Sequence, residues 1–321
     1  MPTLMTTAPH DNRQPATTDK TSSASAVAKR RRVFGWMLGA LIVAAVLASG
    51  ADRRAAAPVA GQLLTPAGRQ AAAAETWPLR LASFNIHGGR DEAGRPSLED
   101  VGRTIAATDV IGLNEVRTIG VAGLTDQAHE LAGPSGFGVV FAPAEVRWWR
   151  PRLGNALLSN TAVRSWHTVP LPNTRGKAFR NAIVAQVEHG GLTVHVMVTH
   201  VDNYEDHEVQ LNQVSEKFLE LPAPAVLLGD LNTRRDDPQL QRLLAQEGVV
   251  DAVAAGAPSG LADDGRIDWI LVRGLDVVRS GVVDLGASDH PCVWADVQPR
   301  SQGEGGQELA DAPRIEFDRR R

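Results

Sequence analysis

The sequence predicts a two-sheet α/β (α+β) sandwich preceded by a single N-terminal transmembrane or signal segment. The sandwich rests on two observations. Ten short β-rich runs lie between Leu79 and Val297, and the few helical patterns among them do not alternate with strands as βαβ units would. The segment rests on an uncharged run, Val33 to Gly50, directly behind four basic residues. The chain has 321 residues, 43% hydrophobic and 22% charged, which supplies a sizeable core.

Residues 1–32 are rich in Ser, Thr, Ala and Pro, lack hydrophobic periodicity and end in Lys29-Arg30-Arg31-Arg32, so they read as a disordered tail with a basic end. Residues 33–50 would span about 27 Å as a helix, close to the hydrocarbon thickness of a bilayer. The basic cluster predicts a cytoplasmic N-terminus and an exported remainder, with the run either kept as an anchor or cleaved near Ala48–Ala51. Residues 51–77, rich in Ala, Pro and Gln, read as a linker.

Strands are then expected at 79–84, 110–113, 138–141, 155–159, 182–187, 192–199, 225–228, 267–272, 277–283 and 291–297. Ser97 with Asp100 three residues on heads a helix to about Ala107. Val209, Leu211, Val214, Phe218 and Leu219 give 206–219 a helical stripe, and Pro238 opens a third helix to Ala245. After Arg300 the chain turns polar, so the domain covers 78–299 and a polar tail 300–321. A net charge of −4 excludes a coat held on nucleic acid by charge alone, and a single cysteine, Cys292, excludes a disulfide framework or a Cys-rich zinc cluster.

The strand ends carry the chemistry. Ser83-Phe84 runs into Asn85, Leu113 into Asn114-Glu115, Thr199 into His200 with Asp202 two residues on, and Gly229 into Asp230-Leu231-Asn232. Asp268 lies between Ile267 and Trp269, where a buried carboxylate needs a partner, and Ser288-Asp289-His290 offers one. Each pattern alone is most often an Asx turn or a solvated rim. Strands of one sheet pair would bring these ends together as a rim of carboxylates, amides and imidazoles.

Together with Gly154-Asn155-Ala156-Leu157-Leu158-Ser159, these stretches resemble the endonuclease/exonuclease/phosphatase superfamily, the fold of deoxyribonuclease I. The resemblance spans 78–299 and implies a four-layered sandwich of two packed mixed β-sheets flanked by helices. It also implies a phosphoric ester hydrolase using Mg²⁺, with Mn²⁺ as a substitute. By the same resemblance Glu115, Asn85 and Asp289 hold the metal, and Asp230 orients or deprotonates the attacking water. Asn232 holds a phosphate oxygen, His290 contacts the scissile phosphate, Asp268 fixes its tautomer, and His200 is a second phosphate contact or general acid. The chemistry agrees, because Mg²⁺ takes one or two carboxylates and keeps waters, and an Asp-paired histidine donates with its ring fixed. One residue departs from the family pattern: Asn114 stands where Gln is usual, which puts its neighbouring hydrogen bond in question.

Between Glu145 and Glu188 there is no acidic residue. Arg147, Arg150, Arg152, Arg164, Arg175, Lys177 and Arg180 fall there with Trp148, Trp149 and Trp166, a composition suited to a phosphodiester backbone, to lipid headgroups, or to a solvated hairpin with partly buried tryptophans. Arg180 and Asn155 are the expected substrate contacts. The sequence thus points to an exported, membrane-anchored, Mg-dependent phosphodiesterase or nuclease with a monomeric catalytic domain. A lipid-headgroup phosphodiesterase and a non-catalytic domain that binds phosphorylated ligands are the alternatives.

Overall fold

The computed structural model describes residues 20–51, 54–66, 76–119, 125–146, 152–175, 178–257 and 265–300. The chain divides into two units, Met1–Ala51 and Asp52–Arg321. The described part of the first is one helix, α1 (Lys20–Ala51), which begins inside the stretch expected to be a disordered tail. Side chains on α1 are described for 29–45, so the expected span 33–50 lies partly outside them. Among the described residues no helix is long and apolar enough to cross a membrane.

In the second unit one sheet runs in the order β13 (Val249–Asp251), β14 (Asp268–Arg273), β12 (Ala225–Asp230), β11 (Leu192–His200), β10 (Asn181–His189), β9 (Val163–Pro170) and β2 (Ala60–Leu64). The other runs β15 (Leu275–Val283), β16 (Cys292–Pro299), β3 (Leu79–Asn85), β4 (Val110–Ile119), β8 (Leu153–Ser159) and β6 (Gly138–Pro143), with β5 (Thr125–Asp126) paired to β4. A small ribbon joins β1 (Arg54–Ala55) to β7 (Glu145–Val146). Both large sheets are mixed, and each holds one parallel pair among these strands, β11 with β12 and β3 with β4. The C-terminal ends of those pairs are the polar strand ends picked out in the sequence.

Three cores make four layers. Leu81, Val110, Leu157, Val196, Leu228 and Val293 fill the space between the sheets. Helices α2 (Leu98–Ile105) and α3 (Gln127–Ser135) set Val101, Ile105, Ala128 and Leu131 against Phe84, Ile111 and Leu158 on the outer face of one sheet. On the opposite side α4 (His207–Glu220) and α5 (Pro238–Leu244) set Leu211, Val214, Phe218 and Leu240 against Met197, Leu227 and Trp269. A short α6 (Ala252–Gly256) follows β13, and Val253 joins the inter-sheet core. Strands buried on both faces explain the near-continuous apolar runs at 225–228 and 268–272.

Several local expectations are corrected. The linker 51–77 contributes β2 to a sheet edge. Ser97 precedes α2 but does not cap it; its hydroxyl donates to the Ala287 carbonyl at 2.6 Å and ties the helix start to the segment leading to His290. At the start of α4 the Asp206 carboxylate accepts from the backbone N–H groups of Thr174 and Arg175.

A charged clamp joins three strands of one sheet. Arg80 on β3 donates to Asp296 on β16 through Nε at 2.6 Å and Nη2 at 2.8 Å, and Arg279 on β15 adds a bond at 2.6 Å. Both guanidiniums also lie over Trp294, at 4.8 Å and 5.8 Å. Burial opposes the Asp296 charge, but these bonds outweigh it and hold the carboxyl below its ordinary 3.8. A depressed carboxyl adds stability above its unfolded value and loses it as pH falls through the folded one. Asp296→Asn is therefore expected to cost about 2 kcal/mol at pH 7, with the gap from the parent closing below about pH 4, in urea titrations across pH.

Candidate active site

The strand register gathers the expected site. Asn85 pairs with Asn114, His200 with Asp230, and Asp230 with Asp268, across five strands of the two sheets. The Ser288 hydroxyl donates to the Asn85 carbonyl at 2.7 Å, which brings Asp289 and His290 to the same rim.

Asp230 stands at the centre. Its Oδ2 accepts from Asn85 Nδ2 at 3.0 Å, and its Oδ1 from the Asn232 backbone N–H at 2.8 Å. His200 Nε2 lies 3.4 Å and His290 Nε2 3.9 Å from Oδ2. Burial, with Asp268 beside it, pushes the Asp230 carboxyl up to about 7. His290 donates Nδ1–H to Asp268 Oδ2 at 2.7 Å. Burial works against the His290 charge, but that bond and the charges of Asp268, Asp230 and Asp289 raise it to about 9, so the ring is a cation at neutral pH. The Asp268 carboxyl is itself raised by burial, and its Oδ1 is buried without a partner.

His200 is only 3% exposed, and burial, then Arg180 and His290, holds it well below 6.5, so its ring is neutral. Arg180 Nη1 lies 3.4 Å from its Nδ1, and its Nε2 lies between Asn232 Nδ2 at 3.2 Å and Asp230 Oδ2 at 3.4 Å. Burial lowers the Arg180 pKa against the pull of Glu115, Asp202, Asp230 and Glu145. Arg180, His200, Asn155 and Glu115 line one cavity of about 150 Å³.

Other expected residues are engaged differently. The Asn155 amide is spent on neighbours, accepting from Asn114 and donating to Asn181. Asn232, at φ 49°, donates Nδ2 to the Val201 carbonyl at 2.9 Å and lies 3.2 Å from His200. Trp166 lies against Gly61 and the inter-sheet core, and Arg164 pairs with Glu188 at 2.9 Å, so these two are packing and surface residues. Arg147, Trp148, Trp149, Arg150 and Lys177 lie outside the described residues. Asn114 and Asn181 were not expected among the site residues. The sequence signals for Asn114 were its place after the apolar run 110–113 and its departure from the family pattern.

The donor set suits a hard divalent ion. Glu115 sits at a bulge of β4 with φ 58°, rare for a side chain of this kind, and its carboxylate accepts no hydrogen bond from a described residue. Asn85 Oδ1 takes one N–H, from His87 at 3.1 Å, and Asp289 is exposed beside His87 at 3.6 Å. These oxygens match the preference of Mg²⁺. Asp230, Asp268 and His290 also lie within 4.8 Å of one another, but Asp268 and His290 spend their facing atoms on each other.

A carboxylate poised near neutrality, a cationic Asp-paired histidine and a buried guanidinium around one rim define a hydrolase of phosphoric esters. The model of the Endonuclease/Exonuclease/phosphatase family matches residues 82–290, and the chain belongs to that family, whose enzymes are generally dependent on divalent metals. Among solved structures, an endonuclease/exonuclease/phosphatase from Beutenbergia cavernae DSM 12333 is 27% identical over 70% of this chain and 72% of its own, with a TM-score of 0.55. The human Nocturnin catalytic domain with bound sulfate (16%, 70% and 96%, 0.53) and D. rerio TDP2 complexed with a single-strand DNA product (18%, 68% and 98%, 0.51) share the fold. No curated protein matches the chain.

Proposed function

We propose that the protein hydrolyses phosphodiester bonds by in-line attack of a water held at Asp230. One observation carries this reading: Asp230 faces the Nε2 of a histidine whose other nitrogen is fixed on Asp268. A base near neutrality and a cation aimed at the same point serve opposite sides of one transfer. His290 Nε2–H donates to a phosphate oxygen while Asp268 keeps the ring from turning. Arg180 places positive charge on the cavity side, and the neutral His200 ring packs 3.4 Å from Asp230 and walls that side of the carboxylate. Glu115, Asn85 and Asp289 would hold a divalent ion such as Mg²⁺ or Mn²⁺, which when bound supplies positive charge against the phosphate oxygens.

A panel of plasmid DNA, single-stranded DNA, bis(p-nitrophenyl) phosphate and phospholipid vesicles, run with Mg²⁺ and with chelator, tests the reading. Cleavage of DNA or of the simple diester supports it. Headgroup release with DNA intact would make the substrate a lipid, and no hydrolysis of any of them would leave a phospho-ligand-binding domain. The DNA product held by TDP2 supports including nucleic acid. Glu115→Gln is expected to lower Mg²⁺ affinity at least about tenfold in calorimetric titration, with the fold unchanged by circular dichroism.

Export is part of the proposal. Phe34, Trp36, Leu41 and Ile42 on α1 are all exposed, with Lys29–Arg32 on their N-terminal side, which supports a role for this helix at a membrane. Protease added outside intact cells should remove the catalytic domain, and full protection would place it in the cytoplasm.

A further inference from the structure

Asn114 is fully buried, and its side-chain amide touches the backbone or side chain of three other strands. Its Oδ1 accepts the backbone N–H of Asp230 at 2.9 Å. Its Nδ2 donates to the Thr199 carbonyl at 2.8 Å, one residue before His200, and to Asn155 Oδ1 at 2.8 Å. Asn155 in turn donates to Asn181, whose Nδ2 reaches the Pro143 carbonyl at 3.1 Å. Glu115 is the next residue along the chain. One amide therefore fixes the backbone beside Glu115, His200 and Asp230, and it does so across the gap between the two sheets.

Gly112, two residues earlier on β4, explains why a short amide suffices. A Cβ there would lie 2.9 Å from the Cβ of Leu228 and 2.9 Å from Cγ1 of Val198. The absent side chain lets β4 approach β11 and β12 closely enough for an Asn to bridge them. A Gln carries one more methylene, which this spacing does not accommodate without pushing the sheets apart.

We infer that Asn114 is the positioning residue that sets Asp230 and His200 relative to Glu115 across the sheet interface, with Gly112 setting the distance it spans. The inference rests on the phosphoesterase reading of the site for its consequence but not for its geometry. The role predicts a loss in turnover, because displacement of a reacting group by about 1 Å costs on the order of a hundredfold.

The experiment compares the full chain with Asn114→Ala, Asn114→Gln and Leu243→Ala, the last a core truncation under α5 away from this amide, 2% exposed. Hydrolysis of bis(p-nitrophenyl) phosphate is read as kcat and KM, and amide hydrogen exchange is read at Asp230. Asn114→Ala is expected to lower kcat about a hundredfold with KM within about threefold, and to speed exchange at Asp230 at least about tenfold. Asn114→Gln is expected to keep less than about a tenth of the parent kcat, and Leu243→Ala to keep nearly all of it well below its melting temperature. Slow exchange at Asp230 in Asn114→Ala, or a kcat near the parent's, overturns the positioning role. A fully active Asn114→Gln overturns the spacing role of Gly112. A parent without activity tells against the phosphoesterase reading alone, because the exchange measurement still decides whether Asn114 holds Asp230.

Discussion

Asp230→Asn is expected to lower kcat on a phosphodiester about 10³-fold while leaving the protein folded and, without divalent ions, more stable. The isosteric amide fills the same space between Asn85, His200 and the Asn232 N–H, so packing is kept at the loss of one accepted hydrogen bond where its NH2 replaces an oxygen. What is lost is the group that can take a proton from water, and a positioned base contributes between about 10² and 10⁴. Stability moves the other way. The folded carboxyl titrates at about 7, above its ordinary 3.8, because burial and Asp268 disfavour its charge. An acid raised on folding leaves the native state less stable at every pH above its unfolded value, and the loss grows until pH passes the folded one. The melting temperature of Asp230→Asn in chelator should therefore exceed the parent's at pH 8, and the difference should vanish near pH 4. Activity within tenfold of the parent would remove Asp230 from the chemistry. A lower melting temperature at pH 8 would contradict the buried charge. Opposite signs in the two measurements are what a site built at the expense of stability gives.

Gly229→Ala is expected to destabilise by about 4 kcal/mol and to abolish measurable turnover under conditions where the parent is folded. Gly229 lies opposite Thr199 in the parallel pair β11–β12, at φ 156°. A Cβ added there would fall 2.0 Å from the Thr199 carbonyl oxygen and 2.9 Å from its carbon. No side chain can swing aside, because the obstacle is backbone. That carbonyl is also held by Asn114 Nδ2, so relief of the clash would draw apart the strands that carry His200 and Asp230. Gly133→Ala, on α3 with nothing within 4 Å of its added carbon, is the control and should be neutral or slightly stabilising. Urea denaturation of both variants settles it: equal midpoints would mean that β12 moves freely past β11.

Most of the candidate site residues were legible because they sit where apolar runs stop. Asn85, His200 and Asp230 each end a strand, so a polar residue there marks the strand end, while Glu115 lies at the bulge where the apolar start of β4 stops. Asp268 was legible for the opposite reason, as a carboxylate inside an apolar run, and its partner His290 is 2.7 Å away. What could not be read depends on contacts remote in the chain. Asn114 meets Thr199 and Asp230 across 85 and 116 residues, and no local pattern encodes that. The left-handed backbone at Glu115 carries no glycine or asparagine to announce it. Strand β9 escaped notice because it is half-exposed and irregular in polarity, and α3 because Gly133-Pro134 reads as a turn. The acid-free interval between Glu145 and Glu188 suited a basic surface or a solvated hairpin with partly buried tryptophans, and for Arg164, paired with Glu188, and Trp166, a packing residue, the second fits.

Strand β2 belongs to the segment that reads as a linker, but it is the outermost strand of its sheet and hydrogen-bonds to β9 from Ala60 to Leu64. A chain shortened to begin at Leu79 would leave the backbone donors and acceptors of β9 open to solvent, with Trp166 uncovered beside them. Such an edge pairs with the next molecule that offers one. A version of the domain that keeps this edge covered is therefore longer than the family match: it starts before Ala60, and one that starts at Leu79 is expected to self-associate in a sedimentation experiment.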